Sequence, residues 1–336
     1  MYKNKLIFGT GFNENPKNFS KKKFINSINF CVDQGINLFD TADNYFDGDI
    51  QKIIGSEITK KNILIINKFQ ILNNKKTLQK NLDDSLKRLK KDKIEFYMPH
   101  WPKFDMDYNL IIEFIIENIE KGKIKNFGLS NFNLKMIKNF RKIFTKKIFI
   151  QTELNLCNYN YNKELIKYCE KNNINIFAYK ISDNFPKNSI EINKLREDYN
   201  EYEISLMWLK KIKVFPIIKS LKKENIIKNI EIFKKKFNTI NFRIKNNYKF
   251  ISIKKINKLN SGSNVIYKDI IEAKKNKKKL FPSPEDISKE IKIYGLLKPF
   301  FLKKNNNGYE LISGQARFWA YLMLNKRKFI KAIIVE

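Results

Sequence analysis

Gly35-Ile-Asn-Leu-Phe-Asp-Thr-Ala-Asp-Asn-Tyr45 contains a short strand candidate, Asn37-Leu-Phe39, that stops on an acid, Asp40. Upstream lies an amphipathic stretch with Phe24, Ile28 and Cys31 at helical spacing, and before it another apolar run, Leu6-Ile-Phe8. Downstream the alternation continues with Ile63 to Ile66, followed by a helix face of Leu78, Leu82, Leu86 and Leu89. Ile94 to Met98, the helix-like Leu110 to Ile119, Asn126 to Leu129 and Ile148 to Ile150 come next. Asn175 to Phe177 and Val214 to Ile218 complete the series, with helix-period segments between them. Repeated strand–helix units imply an α/β fold, a parallel sheet with helices outside it. Eight such units up to about residue 235 is the count and length of a (β/α)8 TIM barrel. An open doubly wound sheet has the same rhythm, because periodicity does not report closure.

In a barrel of this kind, chemistry gathers where strands end. Asp40 ends the second strand candidate, Lys68 the third and His100 the fourth. Ser130 and Asn131 end the fifth, Gln151 and Glu153 the sixth, Tyr179 the seventh, and Lys219 with Ser220 the eighth. Singly, each has an ordinary explanation. Asp40 could cap a helix, Tyr45 could be a packed aromatic, Lys68 a surface charge, and His100 a structural histidine. Their joint placement at one barrel face is what calls for a common role.

Gly35 to Tyr45 resembles the aldo-keto reductase signature G-x-x-x-x-D-T-A-x-x-Y. LDDSLKRL (82–89) followed by IEFYMPHWP (94–102) is similar to that family's SL-x-x-L and HWP segments. GKIKNFGLSNF (122–132), QTELN (151–155), Ala178-Tyr179 and Pro216 to Ser220 fall in family order as well. The resemblance covers about residues 1–235 and implies NADPH-dependent reduction of a carbonyl compound, an aldehyde, ketone or sugar derivative.

Such a reduction needs hydride delivered to carbon and a proton for the developing alkoxide. A free tyrosine, with a pKa near ~10, is a poor acid–base at neutral pH. A neighbouring ammonium is expected to lower that pKa, and an aspartate to hold the lysine in place. The resemblance assigns these roles to Tyr45, Lys68 and Asp40, with His100, the only histidine, orienting the carbonyl. It implies that Ser130, Asn131 and Gln151 hold the nicotinamide carboxamide, that Tyr179 stacks on the ring, and that Gly9, Thr10 and Gly11 floor the site. Lys219, Ser220 and Asn229 match the family's NADP readers, but its arginine position is Asn225 here. Lys222, Lys223 and Lys228 could supply the charge, which leaves NADPH as the expected cofactor and NADH as the alternative. A second departure follows Tyr179, where the common Ser-Pro is Lys180-Ile181.

From about residue 250 the rhythm changes. Ser283-Pro-Glu-Asp286 is a helix start, Ile287 and Ile291 lie on that helix's inner face, and Gly295 fits its C-terminal cap. A strand (Phe300 to Leu302), an Asn-Gly turn and a second strand (Tyr309 to Ser313) follow. Gly314 to Arg317 opens another helix, and Ile330 to Val335 reads as a last strand. The expected division is a barrel over 1–235, a basic linker over 236–250 and a small α+β domain over 251–336. GLLKP (295–299), the strand pair and Gly314-Gln-Ala-Arg317 resemble the ParB/sulfiredoxin-like domain. That resemblance implies a nucleotide phosphate held at a helix N-terminus by Gly314 and Arg317. The box has no cysteine for sulfiredoxin chemistry, and no helix-turn-helix follows it.

The formal charge is +33, from 67 Lys and Arg against 34 Asp and Glu. The lysines are scattered among Ile, Asn and Phe, as on a solvated surface, so nucleic acid is not the expected partner. The tightest basic run, Lys274 to Lys279, is read as a surface loop. Three cysteines without C-x-x-C spacing fit buried thiols in a reducing cytoplasm, and one histidine leaves no zinc-type ligand set. No apolar run spans a membrane, and no signal peptide is evident. Two alternatives stay open: a binding protein built on a retired reductase barrel, and a nucleotide-dependent activity centred on the C-terminal domain.

Overall fold

The protein is described by a computed structural model covering residues 6–12, 19–58, 63–186, 190–235, 242, 248–259, 267–278, 282–324 and 328–335. The first strands are β1 (Ile7–Gly9), β2 (Leu38–Ala42), β3 (Leu64–Phe69) and β4 (Ile94–Pro99). β5 (Ile124–Ser130), β6 (Ile148–Glu153), β7 (Asn175–Tyr179) and β8 (Phe215–Ile218) follow. They pair in sequence order, all parallel, and β8 returns to β1 through Ile7↔Ile217 and Phe8↔Ile218. The sheet is closed, which excludes the open doubly wound alternative. Around it lie α1 (Lys21–Asp33), α2 (Asp49–Ile58), α3 (Lys75–Leu89), α4 (Tyr108–Glu120) and α5 (Leu134–Ile143). The outer layer continues with α6 (Tyr159–Lys171), α7 (Ile190–Leu195), α8 (Glu201–Lys211) and α9 (Lys223–Lys234). Asparagine and aspartate begin several of these helices. Asn74, Asp107, Asn133 and Asn200 each accept a backbone N–H of the first turn.

Side chains of a strand alternate between two faces, and this alternation builds the barrel's inside. Ile7, Leu38, Ile66, Phe96, Met98, Phe149, Phe177 and Ile217 form one buried cluster, the plug of the barrel. Phe96 meets Phe149 edge-on at 4.6 Å, and Phe149 stacks on Phe177 at 5.6 Å. Their neighbours Phe8, Phe39, Ile65, Tyr97, Ile150 and Ile176 belong to the layer beneath the helices. Two residues past six of these plug positions the side chain again points inward, now at the C-terminal mouth. Leu38 thereby places Asp40, Ile66 places Lys68, Met98 places His100, Phe149 places Gln151, Phe177 places Tyr179 and Ile217 places Lys219.

A second, five-stranded sheet has the order β10-β12-β11-β13-β9. Its strands are β9 (Tyr248–Ser252), β10 (Ile256–Leu259), β11 (Phe300–Asn305), β12 (Gly308–Ser313) and β13 (Phe329–Val335). Helices α10 (Ile270–Lys274), α11 (Pro284–Tyr294) and α12 (Gln315–Leu322) accompany it, around a separate core that includes Phe300, Leu311, Trp319 and Ile330. Ser283 and Asp286 form a reciprocal cap at the start of α11, and Gly295 ends it with φ 81°. The Asn-Gly turn joins β11 and β12, with Asn305 paired to Gly308.

Two features depart from the sequence reading. Residues 248–250, assigned to the linker, are strand β9, and β10 was not anticipated; residues 236–241 and 243–247 of the linker lie outside the described residues. Both strands are basic and shallow. Only Ile251 of β9 is buried, while Lys249 and Phe250 face outward, so no apolar alternation marked them. The run at Lys274 to Lys278 is the exposed end of α10, where Lys277 pairs with Glu272 at 3.1 Å; Lys279 lies outside the described residues. The second sheet packs on the barrel through Cys157, Phe301 and Ile333. Tyr161 Oη donates to Leu296 O at 2.9 Å, and Asn133 Nδ2 donates to Tyr294 O at 3.0 Å.

Gly128 occupies an inward position of β5, where an added Cβ would lie 3.0 Å from both Met98 Cε and Phe149 O. Its lack of a side chain makes room for the aromatic plug. Gly128→Val is expected to destabilise the protein by about 1–3 kcal/mol. Urea unfolding should show this as a lower midpoint with an unchanged slope.

Candidate active site

At the barrel mouth, Lys68 Nζ lies 2.6 Å from Asp40 Oδ1, with the two side chains 3% and 7% exposed. The same carboxylate oxygen accepts Gln151 Nε2 at 2.9 Å. The Asp40 backbone carbonyl accepts the Thr10 N–H at 3.0 Å and the Thr10 hydroxyl at 2.8 Å, which fixes the strand end carrying the carboxylate. Thr10 is fully buried, so its side chain tethers Asp40 instead of lining the cavity as expected.

Tyr45 sits in a short 3-10 turn after β2, followed by Phe46 and Asp47 with φ of 47° and 52°. Two consecutive non-glycine residues in the left-handed region are unfavourable and turn the chain sharply. The tyrosine's ring centre lies 5.2 Å from Lys68 Nζ and 5.9 Å from the His100 ring, which it meets edge-on. An added Cβ on Gly11 would come within 2.7 Å of the Tyr45 ring, so glycine is what lets that ring reach the mouth.

The electrostatics differ from the simple expectation for a tyrosine beside a lysine. Removal from water pushes the Tyr45 phenol above its usual value; the Lys68 charge pulls it down and the Asp40 charge pushes it up. The net direction is upward, because both phenol and ammonium lie in a desolvated mouth and Asp40 offsets much of the lysine's charge. Burial works to lower Lys68, but Asp40 and Tyr45 outweigh it, and the lysine stays a firm cation. Desolvation, then the charges of Lys68 and Lys298, press His100 down to about 3. At neutral pH the site therefore holds a protonated phenol, an ammonium and a neutral imidazole.

The mouth opens into a cavity of about 530 Å³. Its walls bring together Gly9, Gly11, Asp40, Tyr45, Lys68, His100, Ser130, Asn131, Gln151, Tyr179 and Lys219 from the sequence reading. They also include Trp101, Ser182, Asp183 and Tyr202, which no strand-end pattern singled out. Lys180 and Ile181, where the family pattern is broken, line it too; Lys180 has φ 51° and pairs with Asp183 at 3.7 Å. Lys219 Nζ donates to Gly11 O at 3.2 Å. Ser220 and Asn229 are not part of the lining: Ser220 Oγ accepts Lys222 N at 3.1 Å, and Asn229 is buried in α9. Gly314 and Arg317 are also outside the lining. Gly314 precedes α12 with φ 110°, and Arg317 Nη2 donates to Pro299 O at 3.2 Å. The residue that sequence reasoning missed is Lys298, whose ammonium reaches the Glu153 carboxylate at the barrel mouth. Among the described residues, no group of three His, Cys, Asp or Glu is placed to hold a metal, and no helix is long and apolar enough to cross a membrane. All three cysteines are buried, and none is in a disulfide.

The histidine offers a direct check, since the chain contains one. Its imidazole resonance in NMR is expected to stay constant between pH 5 and 8, because protonation begins only far below the usual value of 6.5. A titration midpoint near 6.5 would show a solvated imidazole and contradict this electrostatic picture.

Comparison with known proteins agrees with this geometry. The model of the Aldo/keto reductase family matches residues 5–183, more than half of the chain. An aldo-keto reductase of Bacillus subtilis, YhdN, is 29% identical over 172 residues, a match spanning 47% of this chain and 52% of that one. The NAD(P)H-dependent 6'-deoxychalcone synthase of Glycine max is 26% identical over 256 residues, covering 66% of this chain and 81% of its own. Among solved structures, an aldo/keto reductase from Klebsiella pneumoniae in complex with NADP and acetate superposes with a TM-score of 0.61 at 20% identity. That superposition covers 69% of this chain and 87% of the other. The closed parallel barrel, the Asp40–Lys68–Tyr45–His100 cluster at its mouth and the matched family model together make this chain a member of the aldo/keto reductase family.

Proposed function

We propose that the chain is an NADPH-dependent carbonyl reductase, acting on a small aldehyde, ketone or sugar-derived carbonyl. The observation that carries this reading is the complete proton-handling group at one mouth: Lys68 bonded to Asp40 at 2.6 Å, with Tyr45 and His100 in ring contact above it. A barrel kept only as a scaffold would have no reason to hold this arrangement, because a buried ion pair stabilises a fold no better than apolar residues of the same volume.

The cavity suits a nicotinamide. Gln151 Nε2 is engaged by Asp40, while its buried Oε1 has no hydrogen-bond partner among the described residues. A buried acceptor left open in this way is costly unless a ligand N–H fills it, and a carboxamide supplies one. Ser130 and Asn131 flank it, and Tyr179 offers a ring wall. Bound there, the reduced nicotinamide supplies the hydride. Tyr45 donates the proton to the developing alkoxide, and its raised pKa keeps that proton in place at neutral pH. The Lys68 ammonium then stabilises the phenolate left behind, and Asp40 keeps the ammonium oriented. Neutral His100 donates an N–H to the substrate oxygen and fixes the carbonyl's orientation without adding charge.

Choice of NADPH over NADH is supported by Lys222, Lys223 and Lys228, all exposed around the start of α9. A helix N-terminus with ammonium groups around it favours an added phosphate. A separate proposal, from the likeness of the second sheet to the ParB/sulfiredoxin domain, is a nucleotide at Gly314 and Arg317. Its support is the position of Gly314 at the N-terminus of α12. Against it, the Arg317 guanidinium is engaged by Pro299 O, so the reductase reading is preferred for the chain's activity.

Fluorescence titration should show micromolar binding of NADPH and weaker binding of NADH. Tyr45→Phe should preserve NADPH binding while lowering carbonyl-dependent NADPH oxidation by about 10²–10⁴-fold, the usual contribution of a positioned acid. Failure of the wild-type protein to bind either nucleotide would reject the reading.

A further inference from the structure

Two walls of the cavity, Trp101 and Tyr179, are contacted by a lysine from the second sheet's part of the chain. Lys298 lies between α11 and β11, and its side chain is 13% exposed. Its ammonium is 4.6 Å from the centre of the Trp101 ring and 4.9 Å from that of Tyr179. It donates to Glu153 Oε2 at 3.2 Å and to the Tyr179 hydroxyl oxygen. An ammonium has no lone pair to offer, so the phenol must direct its own hydrogen elsewhere. It donates to Asn131 Oδ1, and Asn131 Nδ2 in turn donates to the His100 carbonyl at 2.9 Å. The hydrogen bonds therefore run in one direction, from Lys298 through Tyr179 and Asn131 to the backbone of His100. Because Asn131 Oδ1 faces Tyr179 and its nitrogen faces His100, this chain also sets which way the Asn131 amide points.

We propose that Lys298 is a positioning residue of the reductase site, acting through Tyr179 and Asn131 to hold the ring wall and the amide that grip the nicotinamide. The inference rests on the reductase reading and adds to it that the C-terminal part of the chain governs cofactor affinity. A structural ion pair between Lys298 and Glu153 would need neither the phenol nor the two aromatic faces. The ammonium instead sits where all of these meet, two hydrogen bonds from Asn131.

The charge on Lys298 is also within reach of titration. Burial pulls its pKa down to about 8; Glu153 of β6 raises it, and Arg317 of α12 and Lys180 after β7 lower it further. Tyr179 of β7 and His100 after β4 also face it. The cation is present below about 8 and lost as the pH rises through that value, so the grip is expected to be full on the acid side and to weaken on the alkaline side.

The test is NADPH titration of the full-length protein between pH 6 and 9.5, for wild type, Lys298→Met and Lys298→Arg, with thermal melts to establish that each is folded. Wild type should lose affinity across pH 8. Lys298→Met should bind about tenfold more weakly at pH 7, about 1.4 kcal/mol, and show no transition. Lys298→Arg should restore binding and carry it without a transition through pH 9.5, since a guanidinium stays charged. Equal loss in the Met and Arg variants, or a Met variant with wild-type affinity and pH dependence, would overturn the role of Lys298 while leaving the reductase reading standing. Absence of NADPH binding in wild type would overturn both.

Discussion

A lysine ammonium held 2.6 Å from a carboxylate inside a closed sheet is the interaction around which this molecule is arranged. Taking two charges out of water is expensive, and the mutual attraction offsets the cost only with good geometry and further hydrogen bonds. Those further bonds are visible. Gln151 donates to the same oxygen of Asp40, Thr10 anchors the aspartate's backbone, and Tyr45 faces the ammonium. The aromatic plug lies below the pair, and the cavity opens above it.

The consequence for chemistry is a mouth in which each group's protonation is set by its surroundings. Desolvation raises the phenol and depresses the imidazole, while the aspartate keeps the lysine charged. The familiar picture of a lysine lowering a tyrosine's pKa captures one contribution of several here. What the site maintains at neutral pH is a proton on Tyr45 and none extra on His100, the state that the proposed reduction would need.

The second sheet bears on the same mouth. Its core is separate from the barrel's, yet Phe301 and Ile333 share a buried cluster with Cys157, and Lys298 reaches Glu153. Arg317 lies close enough to Glu153 for their charges to interact. One strand-end carboxylate thus faces two cations from the added part of the chain. The family match over residues 5–183 includes Cys157 and Glu153, while Lys298, Phe301, Arg317 and Ile333 lie beyond it.

Much of the barrel was legible from local pattern alone. Eight apolar runs, seven of them ending in polar residues, mark strands whose alternate residues share a face, and that face carries Asp40, Lys68, His100, Gln151 and Tyr179 to one end. β9 and β10 escaped notice because a shallow edge strand with outward lysines has no apolar alternation to read. Thr10 is expected on the cavity floor with Gly9 and Gly11, which do line it; only the folded chain shows its hydroxyl turned to Asp40. Lys298 is the clearest limit. It lies 145 residues from Glu153 and 119 from Tyr179. The sequence by itself determined the barrel's strands, their polar ends and the family's ordered motifs, since the strands and helices follow periods of two and 3.6 residues. The tertiary structure alone decided that the barrel closes and that a distant lysine bonds to its strand ends, because pairing between remote segments is set by packing of whole elements and leaves no local trace.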